Sequence, residues 1–140
     1  MFMELGFPIL LIDPPMVTVR GETLPDVNMK DLQETAFAML IIKPSRLTGS
    51  EVGFIRAYQH LRQADFAAVL NMANHSVVSQ WESRLDNPTG MDYNTEVVLR
   101  LWMAGRIGRA DMISDLLASI LKNLSPRSDR PLEIRLPHAA

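Results

Sequence analysis

Hydrophobic positions along the chain change period several times, and each change marks an element. Residues 7–12 and 16–20 are short apolar runs on either side of Asp13-Pro14-Pro15, a break that forbids a continuous helix, and they read as a pair of strands. Residues 21–27, which include Pro25, read as a connection. Asn28 can cap a helix over residues 29–41, with Leu32, Ala36 and Met39 or Leu40 along one face, and Pro44 stops it. Thr48 with Glu51 three positions on is the capping-box spacing, and Val52, Phe54, Ile55, Tyr58 and Leu61 follow at helical intervals. A further helix over residues 62–70 has Phe66, Val69 and Leu70 to bury and Ala64, Ala67 and Ala68 for close contact. Asn71 stands at its end, where Asn tolerates left-handed backbone. Asn74-His75-Ser76 opens the next helix, with Val78 and Trp81 inward and Val77, Ser79 and Gln80 outward.

Beyond the Asn87-Pro88-Thr89-Gly90 turn, residues 93–103 read as a helix with Val97, Val98, Leu101 and Trp102 as its apolar face. Gly105 and Gly108 interrupt, and residues 110–124 form another helix. The tail holds Pro126 and Pro131 around a short strand within residues 132–136. Three organisational units follow: residues 1–42 as an interaction module, 43–125 as the main domain, and 126–140 as a tail.

Residues 46–84 carry the functional signal: short helices with a polar turn before the last, ending in Ser79-Gln80-Trp81-Glu82. That layout is the layout of a helix-turn-helix reader of DNA. At Leu61-Arg62-Gln63-Ala64-Asp65-Phe66-Ala67 and again at Val78-Ser79-Gln80-Trp81-Glu82, the chain resembles Cro/C1-type (XRE) regulators. Lys43-Pro44-Ser45-Arg46-Leu47-Thr48-Gly49, leading into Glu51-Val52, is similar to the C-terminal half of MqsA/YgiT-type antitoxin regulators. The similarity covers most of residues 6–105. It implies a mainly α, lambda-repressor-like helix-turn-helix domain, here with a small N-terminal β-strand pair and helix, and autoregulation of an operon. Departures are specific. Arg62 stands where the family has serine, Asn71 where it has the turn glycine, and Gln80 where it has arginine. The family's zinc-binding members carry N-terminal cysteine pairs and this chain has no cysteine, so neither a zinc site nor a particular toxin carries over.

Each residue of the reader has an expected part. Gln80 can pair bidentately with adenine, and Ser76 is permissive. Val77 and Ser79 face outward beside them. Asn74 and His75 can reach base edges or phosphate, and His75 reads equally well as a solvent-facing turn residue. Arg62 and Gln63 begin a helix where phosphate is met, and Arg84 sits on the flanking backbone. Lys43 and Arg46 read as further backbone contacts or as plain surface charges, and Glu82 as a structural partner.

Charge changes the picture only once it is divided. The 140 residues hold 14 Lys and Arg against 16 Asp and Glu, a net of -2. Acidic residues dominate residues 1–42, and residues 43–84 lean basic, so the excess coincides with the reader. Catalysis finds no support. His60, His75 and His138 share no ligand or triad spacing with carboxylates, no phosphate loop is present, and no cofactor is expected. No run reaches membrane-spanning length and the first residues lack a basic leader, so a cytoplasmic protein is expected.

Partners follow from the same reading. Double-stranded DNA with an inverted-repeat operator is expected, bound by a homodimer of a repressor. The apolar series Ile113, Leu116, Leu117, Ile120 and Leu121 either closes its own core or joins two copies, and the dimer reading is preferred, with the terminal strand as an aid. The alternative function is an antitoxin-type protein whose residues 1–42 neutralise a protein partner.

Overall fold

The computed structural model describes residues 2–119 and 130–137, and in them the chain is mixed α/β. Its elements in order are β1 (Ile9–Leu11), β2 (Met16–Val19), β3 (Glu22–Pro25), α1 (Met29–Ile41), α2 (Gly49–Tyr58), α3 (Gln63–Val69), α4 (Ser76–Glu82), α5 (Tyr93–Arg106), α6 (Asp111–Ser119) and β4 (Leu132–Ile134).

Local chemistry sets most of these boundaries. Asn28 Oδ1 accepts from the N–H groups of Lys30 (3.0 Å) and Asp31 (3.2 Å), satisfying two of the orphan donors at the start of α1. At α2 the capping box is complete: Thr48 Oγ1 accepts from Glu51 N–H at 3.2 Å, and Glu51 Oε1 accepts from Thr48 N–H at 2.9 Å. Asn71, at φ 57°, turns the chain out of α3, and Met72 N–H closes back on the Ala67 carbonyl at 2.8 Å. Asp92 caps α5 through a bond from Asn94 N–H at 3.1 Å. Gly105 stays inside α5, and the left-handed Gly108 (φ 66°) follows its end.

The strands pair differently from expectation. β1 and β2 are not partners. β1 lies parallel to β4, with Ile9 opposite Leu132, whereas β2 forms an antiparallel hairpin with β3, inside the segment read as a connection. A parallel partner has to arrive by a long crossover, and here it comes from the far end of the chain. β1 and β4 each put a side chain in the core (Ile9 and Ile134), and the β2–β3 hairpin puts none there.

One core runs through the described residues. Leu32, Ala36, Phe37, Leu40 and Ile41 of α1 share it with Val52 and Ile55 of α2, Phe66, Val78 and Trp81 of the next two helices, and Leu99 and Met103 of α5. Phe7 meets Phe54 edge-on at 5.5 Å, and Phe66 meets Trp102 in the same way at 6.1 Å. Only Ala67 of the three α3 alanines is buried, and Val69 is exposed. Along α5 the inward face is Glu96, Leu99, Arg100, Met103 and Ala104, so Val98 points out and Val97, Leu101 and Trp102 are half-buried. Met112 and Leu116 of α6 enter the core, Ile113 packs against it, and Leu117 faces outward. Ile120 and Leu121, which complete that series, lie outside the described residues, as do residues 126–129 of the tail and His138.

Candidate nucleic-acid interface

α4 is held from behind. Val78 and Trp81 are buried against α2 and α3. At the N-terminus of α2, Gly49 comes so close that an added Cβ would lie 2.5 Å from the Trp81 carbonyl oxygen and 2.8 Å from that of Glu82. Arg56 of α2 reaches across to Glu82 with Nε 2.6 Å and Nη2 2.9 Å from the two carboxylate oxygens, and it also donates to the Leu61 carbonyl at 3.0 Å. The carboxylate raises the Arg56 pKa above its ordinary value, chiefly through these hydrogen bonds, while burial opposes it. Glu82 is therefore the structural partner the sequence suggested, and its partner is Arg56.

With one face locked, the other is presented. Asn74, His75, Ser76, Ser79, Gln80, Ser83 and Arg84 are all exposed. Ser76, Ser79, Gln80 and Ser83 fall at i, i+3, i+4 and i+7, which places them on one side of the helix. Ser83 was missed in the sequence reading although the same spacing includes it; its hydroxyl donates to the Gln80 carbonyl at 2.7 Å. Asn74 Oδ1 accepts from Ser76 N–H at 3.0 Å, so this side chain shapes the turn and offers outward its amide nitrogen and one remaining acceptor site on Oδ1. Val77, expected to face out, is half-buried and packs against the core, one position before Val78 on the inner side. At the head of α3, Arg62 is exposed and pinned to Asp65, with Nε–Oδ2 at 3.0 Å, and Gln63 is half-covered. That contact raises the Arg62 pKa and lowers that of Asp65, in each case mainly through the side-chain hydrogen bond.

The basic excess of residues 43–84 turns out to be largely committed inside. Lys43 is buried, with Nζ 2.7 and 2.9 Å from the Glu51 oxygens. Arg46 bonds to Glu96 at 3.0 Å and to the Met91 carbonyl, and lies over the Tyr93 ring. Both residues are thus corrections to the reading as surface charges or backbone contacts. Glu96 and Arg100, adjacent on the inner face of α5, are 0% exposed and 2.9 Å apart. Arg100 also donates to the carbonyls of Ile41, Lys43 and Ser45, and Glu96 accepts from Leu47 N–H at 3.2 Å. Burial lowers the Arg100 pKa, and the neighbouring Glu96 works against that shift. This buried group fixes the path of residues 41–47 and so the entry into α2. Of the cations in residues 43–84, Arg84 alone has no ion pair among the described residues.

Among the described residues no set of three His, Asp or Glu is placed to hold a metal ion, and no helix is long and apolar enough to cross a membrane. In comparisons with family models, curated proteins and solved structures, the chain finds no match.

Proposed function

We propose that this chain is a sequence-specific DNA-binding regulator, a repressor built on a helix-turn-helix, with α3 as the first helix of the motif and α4 as the reading helix. The observation that carries the reading is the polar row Ser76, Ser79, Gln80 and Ser83 on a short helix whose opposite face is clamped by Val78, Trp81 and the Arg56–Glu82 pair. A helix held that way meets the major groove without reorganising, and Gln80 is the side chain with the donor and acceptor needed for adenine. Arg84, just after the row, brings positive charge suited to phosphate, and Arg62 at the head of α3 would have to exchange Asp65 for phosphate to do the same.

Selection of bound duplexes from a random pool, followed by affinity measurements with the preferred site, tests this. Gln80→Ala is expected to lose about 1–3 kcal/mol of discrimination at one base pair. Arg84→Ala is expected to weaken all sequences alike and reduce the salt dependence. Equal loss on preferred and random duplexes for Gln80→Ala would show that it reads no base. A second reading, a helix pair used for protein contact alone, is favoured by the internal pairing of Lys43, Arg46 and Arg56. Failure to retain any duplex at low salt would leave that reading standing.

A regulator of this kind doubles its site by binding as two copies, which predicts an inverted repeat with half-sites about one helical turn, roughly 34–36 Å, apart. α6 was the expected contact between copies, and its described part offers Leu117 outward while Met112 and Leu116 serve its own core.

A further inference from the structure

Among the described residues nothing buries the β2–β3 hairpin. Every residue from position 16 to 25 is exposed, including Met16 (52%), Val17 (40%), Val19 (48%) and Leu24 (44%). Apolar side chains in this number on a bare two-stranded ribbon need a partner, since an isolated hairpin is marginal in water.

Hydrogen-bond parity shows which edge is open. Arg20 and Gly21 both have positive φ (51° and 81°), as a two-residue type I′ turn requires, so Val19 and Glu22 are the bonded pair beside it. At the other end Asp26 N–H donates to the Pro15 carbonyl at 2.6 Å. Residues 15, 17 and 19 therefore direct their backbone groups at β3, and Met16 and Thr18 direct theirs outward. On the opposite edge the outward residues are Thr23 and Pro25, where Pro25 has no N–H and Glu22 and Asp26 add negative charge. Those are the devices that block strand addition. The outward edge of β2, by contrast, is blocked by no proline and no charge within Met16–Val19.

We infer that this edge pairs with the same edge of a second copy of the chain, antiparallel about a two-fold axis centred on Thr18. The edge is its own complement. Thr18 then lies opposite the partner's Thr18 as a hydrogen-bonded pair, and Val17 lies opposite the partner's Val19. Within one hairpin Val17 is paired with Leu24 and Val19 with Glu22, so Val17, Val19 and Leu24 share a face. Joining two hairpins brings both sets together on one side of a four-stranded sheet. The charged residues of the hairpin, Arg20 and Glu22, sit at its tip, and the two tips point in opposite directions, so like charges stay apart. So short an edge is small beside a standard interface, and the association is correspondingly weak and concentration-dependent. This contact does not depend on DNA binding.

The absence of cysteine makes the register directly testable. Opposed residues of a bonded antiparallel pair have Cα atoms about 5.5 Å apart, inside the span of roughly 4.4–6.8 Å that a disulfide bridges. In the full chain, Thr18→Cys is expected to form a covalent dimer with oxidised glutathione. Thr23→Cys, on the same face of the neighbouring strand, is expected to stay a single chain. Light scattering of the wild type should climb toward twice the chain mass as concentration rises. The pair Val17→Lys with Val19→Lys, and the pair Val17→Glu with Val19→Glu, should each remain at one chain mass, while mixing the two proteins restores the dimer. A wild type that stays at one chain mass at every concentration overturns the inference. So does cross-linking of Thr23→Cys as readily as Thr18→Cys, or a lysine variant that still dimerises, which would move the contact to α6 or elsewhere.

Discussion

One methyl group at each of two glycines on the same helix should shift stability in opposite directions. Gly49 and Gly53 are four residues apart on α2, and both face the end of α4. At Gly49 the new Cβ of Gly49→Ala would stand 2.5 Å from the Trp81 carbonyl oxygen, 2.7 Å from Leu85 N and 2.8 Å from the Glu82 carbonyl oxygen. All three are backbone atoms, so no side chain can swing away, and α4 has to retreat from α2. Overpacking of this kind costs about 1–3 kcal/mol. Gly49 is also the first residue of α2, where replacing glycine gains little helix propensity. At Gly53 the nearest atom to an added Cβ is Glu82 Oε1 at 3.5 Å, an ordinary contact with a flexible side chain. Gly53→Ala therefore keeps the helix-interior gain of about 0.8–1 kcal/mol. Urea denaturation of the two variants and the wild type should place the Gly49→Ala midpoint below and the Gly53→Ala midpoint above the wild type, with slopes unchanged. A Gly49→Ala midpoint at or above that of the wild type would refute the reasoning, because it would mean that α2 and α4 are not wedged together at this point. If α4 reads DNA, Gly49→Ala should also weaken binding at every base, since the whole polar row is displaced.

Glu96→Gln leaves the buried Arg100 without its carboxylate and should cost about 3–5 kcal/mol in chemical denaturation, and combining it with Arg100→Met should recover part of that loss. Thr48→Ala removes the acceptor for Glu51 N–H and should lower stability by about 1 kcal/mol, seen as a lower thermal midpoint. Tyr58 has its pKa raised, first by burial and then by Glu34, so the folded state holds the phenol proton more tightly than the unfolded chain does. Its contribution is whole below the ordinary tyrosine value of about 10 and is lost as pH rises through the raised value. Tyr58→Phe should accordingly flatten the decline in unfolding free energy on the alkaline side, which a denaturation series across that range would read.

What the sequence determined by itself was whatever is settled within one or two helical turns. Asn28, the Thr48–Glu51 box and Asn71 set their helix boundaries through bonds to backbone two to five residues away, or through a local preference for φ near 57°. Val78 and Trp81 were legible as the inner face of α4 for the same reason, and with them the outward position of Ser79 and Gln80. The tertiary structure decided everything that depends on a distant partner. Lys43 and Arg46 look like surface charges until Glu51 and Glu96 are placed beside them. The inner face of α5 was misread because periodicity counts apolar residues, whereas that face is built around Glu96 and Arg100. Burying these two charges is tolerable only because carbonyls 55, 57 and 59 residues back in the chain turn toward Arg100. β1 likewise could not announce its partner, since a parallel neighbour arriving from the far end of the chain leaves no mark in local spacing. Burial of a charge and closure of a parallel sheet are properties of where the chain returns, and only the folded chain specifies that.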